Sequence, residues 1–136
     1  MELKSQSKVN NFIGNRQLLD ILNYTYFNNT LHNSIILYGD EGIGKSTFVY
    51  FFAKIIFNKI NKGKIFDINK LNEFHDSKMI SNLTHNNFYT LKPIFDVKKN
   101  LYKNEIIIDQ IRKLKNYISL TSLNSLPKII LIDSAD

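Results

Sequence analysis

The chain of 136 residues has no cysteine, no tryptophan and only two prolines. Without cysteine there is no disulfide and no thiolate zinc site, and a cytoplasmic setting is the default expectation. No stretch rich in Pro, Gly or Ser interrupts the sequence, and its length suits one domain. No eighteen apolar residues run together, so no membrane span is expected. The first residues, Met-Glu-Leu-Lys-Ser-Gln-Ser-Lys, lack the apolar core of a signal peptide. Arginine is scarce as well. Of 18 basic residues only Arg16 and Arg112 are arginine, and the net charge is +6. A basic chain invites a nucleic-acid reading, but these charges are scattered rather than gathered into a patch. Solvated surface is the better account.

Glycine is rare too, yet three of the five glycines fall within nine residues, Gly39-Asp40-Glu41-Gly42-Ile43-Gly44-Lys45-Ser46-Thr47. This stretch fits G-x-x-x-x-G-K-[ST] at Gly39, Gly44, Lys45 and Ser46. Glycines let the backbone curl so that successive N–H groups point at phosphate oxygens. Lys45 supplies a compact positive charge for the terminal phosphates, and Ser46 offers a hydroxyl to Mg²⁺. Gly42, Ile43 and Thr47 complete the loop, and the helix that follows turns its positive end toward the same anion. The setting agrees. Ser34-Ile35-Ile36-Leu37-Tyr38 reads as a buried parallel strand, and residues 47–57 read as a helix buried around most of its circumference.

The rest of the chain alternates in the same manner. Leu18, Leu19, Leu22 and Tyr26 predict an amphipathic helix from Arg16 to Asn29. The segment Asn61-Lys62-Gly63-Lys64 ends the helix after the loop. Residues 65–68 admit a short strand and 70–83 a weak helix. Phe88-Tyr89-Thr90-Leu91 reads as a strand stopped by Pro93, and Lys98-Lys99-Asn100 as a polar loop. Ile108, Ile111, Leu114 and Ile118 form the apolar stripe of another helix, with Arg112, Lys113 and Asn116 opposite. A last buried strand, residues 128–133, ends in Asp133.

An acid at the carboxyl end of a parallel strand has two readings: a turn cap, or the group that holds a water of the Mg²⁺ shell near Ser46. The intact phosphate loop favours the second. Many NTPases of this class place Glu directly after that Asp to polarise the attacking water. Here Ser134 follows, a poor base at neutral pH, and Asp136 is two residues further on. The residues therefore argue for nucleotide binding more strongly than for turnover.

Several segments together resemble the AAA+ ATPases, and within them the delta-prime family of subunits of the bacterial clamp loader, part of the DNA polymerase III holoenzyme. Phe12-Ile13-Gly14-Asn15 is similar to the family's Ile-Gly segment beside the adenine. Leu31-His32-Asn33-Ser34 matches its lead into the first strand. Glu105-Ile106-Ile107-Ile108-Asp109-Gln110-Ile111-Arg112 resembles its Ile-Asp-Gln-Ile-Arg segment, and Ile132-Asp133-Ser134-Ala135-Asp136 its Asp-x-Ala-Asp acid motif. Three departures stand out. The four-cysteine zinc module of many relatives is absent or replaced by residues 58–83, so no zinc is expected. The family's His-Pro-Asp appears as His85-Asn86-Asn87. The sequence stops before the last core strands, the sensor residues, the lid and the collar.

The resemblance implies an α/β P-loop fold of AAA+ type, a parallel sheet with helices on both faces, truncated before those last strands and the lid. It implies ATP and Mg²⁺ as ligands, with Phe12 and Ile13 near the base. It also implies a stator in a ring of other clamp-loader subunits that places a sliding clamp on primed DNA during replication, away from any membrane. An active AAA+ motor or helicase loader is the alternative from the enzyme class, and a scaffold that binds nothing is another. A small nucleotide kinase fits poorly, because its acceptor site needs arginines that this chain lacks.

Overall fold

The computed structural model describes residues 14–59, 68–96, 101–102, 105–122 and 126–133. Their contacts fall into two compact units, Met1–Thr84 and His85–Asp136.

The first unit is helical. Helix α1, Arg16–Phe27, starts where the side chain of Asn15 accepts from the Leu18 amide at 3.0 Å, an N-cap that occupies a donor the helix leaves unpaired. Helix α2, Lys45–Phe57, begins at Gly44 and is buried nearly all round, through Phe48, Tyr50, Phe51, Phe52, Ala53, Ile55, Ile56 and Phe57. Helix α1 packs on it through Leu19, and helix α3, His75–Ser81, through Ile80. Between α2 and α3 a 3₁₀ segment, Ile68–Glu73, sets Leu71 in the same core. The weak helix expected over 70–83 is thus two pieces, broken at Phe74, whose extended backbone is the N-cap of α3. The strand expected over 65–68 falls on residues outside those described, apart from Ile68.

Polar side chains serve this core as well. Lys54 is only 1 % exposed, and its Nζ donates to Asn72 Oδ1 at 2.7 Å while lying over the Phe51 ring. Burial pushes its ammonium down to about 8. Asn58 caps the end of α2, donating from Nδ2 to the Lys54 carbonyl at 2.7 Å and to the buried Ser77 Oγ at 2.9 Å.

The strand expected over 34–38 is corrected. Among the described residues this segment has no strand ladder, and Ile36 and Tyr38 are 87 % and 93 % exposed. The β-branched run meets the compositional requirement of a buried strand. Strand character, however, comes from packing and pairing with neighbours, which composition cannot supply.

The second unit carries the parallel pairing. Strand β1, Phe88–Leu91, pairs with β4, Ile129–Ile132, in the register Phe88 to Ile129 through Leu91 to Ile132. A short antiparallel pair, β2 (Phe95–Asp96) and β3 (Leu101–Tyr102), lies between them in sequence and was not expected. Helix α4, Ile108–Ser119, packs on β1. Of its anticipated apolar stripe only Leu114 is buried, while Ile108, Ile111 and Ile118 are exposed. The face turned to β1 carries Gln110, Leu114 and Tyr117, four and three residues apart. Tyr117 stacks on Tyr89 with ring centroids 4.9 Å apart. The described parallel sheet therefore has two strands, an α/β arrangement of smaller extent than the expected one with helices on both faces.

Candidate functional site

The loop before α2 takes its shape from glycine. Gly42 and Gly44 have φ of +80° and +94°, values that L side chains rarely adopt. A Cβ built at either position meets no atom within 4 Å. Glycine is therefore required there by backbone conformation and not by crowding. Gly44 is also the N-cap of α2, with no side chain capping it, and the first turn contains no acid. The leading amides of the helix, at Lys45, Ser46 and Thr47, have no partner within the helix. The first such bond is from the Phe48 amide to the Gly44 carbonyl at 2.9 Å.

Lys45 closes the loop on itself. Its Nζ donates to the Gly39 carbonyl at 2.8 Å and to the Asp40 carbonyl at 3.0 Å. The Ile43 amide donates to the same Asp40 oxygen at 3.4 Å. Ser46 is buried, Thr47 half-buried, and Gly39, Gly42, Ile43 and Gly44 are exposed. The structure thus gathers Gly39 through Thr47 into one turn whose ammonium and unpaired helix amides are all donors. Such a set suits a phosphate, which offers only acceptors and negative charge. Phe12 and Ile13 lie outside the described residues.

Asp133 belongs to the second unit. It is half-buried one residue beyond β4, and its amide donates to the Leu91 carbonyl at 2.8 Å. The last ladder bond thereby fixes the acid where the strand ends. Ser134 and Asp136 are outside the described residues. Among the described residues no group of three or more His, Cys, Asp or Glu gathers to hold a metal ion. Mg²⁺ is commonly held by one or two carboxylates or hydroxyls together with the phosphates of its nucleotide, so Ser46 and Asp133 are the right donor types for it. No helix is long and apolar enough to cross a membrane among the described residues.

Two polar residues in the second unit carry more than their sequence signals announced. Gln110 accepts from the Ile107 amide through Oε1 at 3.1 Å and donates from Nε2 to the Lys92 carbonyl at 2.8 Å. It caps α4 and ties the helix to the chain leaving β1. The glutamine three residues after the N-cap was a readable sign of the first bond, but not of the second. Asn87 is 3 % exposed and bonds to His85 within its own turn and to the Leu126 carbonyl, 39 residues away in sequence.

The family model described as DNA polymerase III, delta subunit, matches residues 14–136, which covers both units. No curated protein and no solved structure matches the chain. The family agrees with the resemblance carried by the Ile-Asp-Gln-Ile-Arg and Asp-x-Ala-Asp segments. The chain belongs to the DNA polymerase III delta-subunit family, a family of clamp-loader proteins of DNA replication.

Proposed function

We propose that this chain is a delta-prime-like clamp-loader subunit that binds ATP with Mg²⁺ and acts as a stator. The observation that carries the reading is the loop itself. Glycines with positive φ, an uncapped helix N-terminus and the Lys45 ammonium converge on one turn. In this reading Gly39, Gly42, Ile43, Gly44, Lys45, Ser46 and Thr47 hold the phosphates. Ser46 supplies a hydroxyl to Mg²⁺, Asp133 a carboxylate to its water shell, and Phe12 and Ile13 pack near the base. Lys45 exchanges its two carbonyl partners for phosphate oxygens when nucleotide arrives. The bound triphosphate and its Mg²⁺ supply charge and orientation, and Ser134 offers no strong base for turnover. The domain then fixes its orientation toward neighbouring clamp-loader subunits while the assembly opens a sliding clamp and places it on primed DNA.

Isothermal titration of the chain with ATP and Mg²⁺ tests the reading. Heat of binding is expected, and Lys45→Ala should abolish it. Absence of heat with the unmodified chain leaves a scaffold that binds nothing. Steady-state phosphate release above about 0.1 per second, well below the typical enzyme range, would instead indicate an active motor.

A further inference from the structure

Two features of the second unit meet at Asn87: the turn before β1 and the approach to β4. The Asn87 carbonyl accepts from the Ile129 amide at 2.8 Å, the first bond of the β1–β4 ladder. Its side-chain Nδ2 donates to the Leu126 carbonyl at 3.3 Å, three residues upstream of that strand. Its own amide donates to His85 Nδ1 at 3.2 Å, inside a buried turn. One residue therefore holds β4 by its main chain and the segment leading into β4 by its side chain, and is itself held by His85. At the far end of the same ladder stands Asp133, bonded through its amide to Leu91.

We propose that Asn87 is a positioning residue for Asp133, fixing the register of β4 and so the place of the carboxylate; for its functional half this rests on the reading of Asp133 as a magnesium-shell acid. The physical reason is the period of a strand. A slip of one residue turns every side chain to the opposite face and moves it by about 3.3 Å. With β4 slipped by one, Asp133 would take the station of Ile132, and its carboxylate would face the wrong side of the sheet. A parallel ladder of four residues has little register memory of its own, since Ile129, Ile130 and Ile132 are interchangeable in shape. A side-chain bond to the peptide just upstream removes that degeneracy, because it is satisfied in one register only.

The test uses the full chain with Asn87→Ala and Asn87→Asp. The second keeps the volume, replaces the donor to Leu126 by an acceptor and adds a negative charge at a buried site, so the effects common to both variants carry the test. Amide hydrogen exchange is read at Ile129 and at Asp133. The Mg²⁺ gain, the ratio of the ATP dissociation constant in chelator to that in Mg²⁺, is measured beside Asp133→Ala. Both Asn87 variants are expected to speed exchange at both amides and to reduce the Mg²⁺ gain roughly tenfold, the low end for outer-shell partners. Affinity for ATP in chelator should stay unchanged, which a general loss of folding would not allow. Unchanged exchange at Asp133 overturns the proposal. So does a Mg²⁺ gain that survives in the Asn87 variants while Asp133→Ala loses it, and that outcome leaves the magnesium reading intact. If Asp133→Ala also keeps the full gain, the magnesium reading itself falls.

Discussion

Lys54 Nζ lies 2.7 Å from Asn72 Oδ1 in the core of the first unit, with the Phe51 ring beneath it. An ammonium there has traded water for partners that include an amide oxygen and a ring face, and burial pushes its pKa down to about 8 from an ordinary 10.5. A lysine whose folded pKa is depressed holds fewer protons in the folded chain than in the unfolded one between those two values. Stability contributed by this group therefore rises as pH rises from about 8 to about 10.5, and is smallest below 8. Lys54→Met should remove that slope. Urea unfolding of both proteins from pH 7 to pH 10 measures it, and the difference between them cancels the titration of other lysines and tyrosines. Parallel curves for the two proteins would show that Lys54 is not the source.

Gly44→Ala tests whether conformation or space selects glycine in the loop. The position is open around a Cβ, yet its φ is +94°. An L side chain forced into that region costs about 1–2 kcal/mol. The variant should lose that much stability by urea unfolding, even though the added methyl group touches nothing. Gly42→Ala, at φ +80° with the same open surroundings, should behave alike. A cost near zero at both sites would mean that the loop relaxes to negative φ.

How much of this was legible in the sequence depended on whether the signal was local. Helices α1, α2 and α4 and strands β1 and β4 were read from apolar periodicity and short apolar runs, and each lies within a few residues of its expected span. These signals need only the chain's own neighbours. The segment 34–38 failed because a β-branched run states what a strand contains but not what pairs with it. Helix α4 was found while its buried face was misread. Ile108, Ile111, Leu114 and Ile118 suggested the face; Leu114 is buried as expected, but Gln110 and Tyr117 take the place of the isoleucines, because a glutamine that satisfies two main-chain groups and a tyrosine stacked on Tyr89 hold the helix there. The role of Asn87 was equally hidden, since it rests on Leu126, distant in sequence.

The double role of Gln110 can be divided by substitution. Gln110→Leu removes both the acceptor for the Ile107 amide and the donor to the Lys92 carbonyl. The expected cost is about 1 kcal/mol, in the range of a lost helix cap. Gln110→Glu retains the acceptor and adds negative charge at the helix N-terminus, which is favourable there, but loses the donor. Its cost should be smaller. Amide exchange at Ile107 should quicken in the leucine variant and stay slow in the glutamate variant. Equal exchange in the two would remove the capping role.

Lys128 supplies the opposite end of the same helix. Its ammonium donates to the carbonyls of Tyr117, Ile118 and Leu120 and lies 4.7 Å from the centroid of the Tyr117 ring. The last carbonyls of a helix have no partner within it and carry the negative end of its dipole, so a cation placed on them is stabilising. Lys128 immediately precedes β4, which makes it a link between the end of α4 and the start of the strand. Lys128→Met keeps the aliphatic stem and deletes the charge. It should cost about 1–2 kcal/mol, from the helix terminus and the ring contact together. Part of that cost is electrostatic at a half-exposed site, so it should shrink in 1 M salt, where the screening length falls to roughly 3 Å. Urea unfolding at low and high salt measures both quantities. A cost that is the same at both salt concentrations would assign the effect of Lys128 to the packing of its stem and not to its charge.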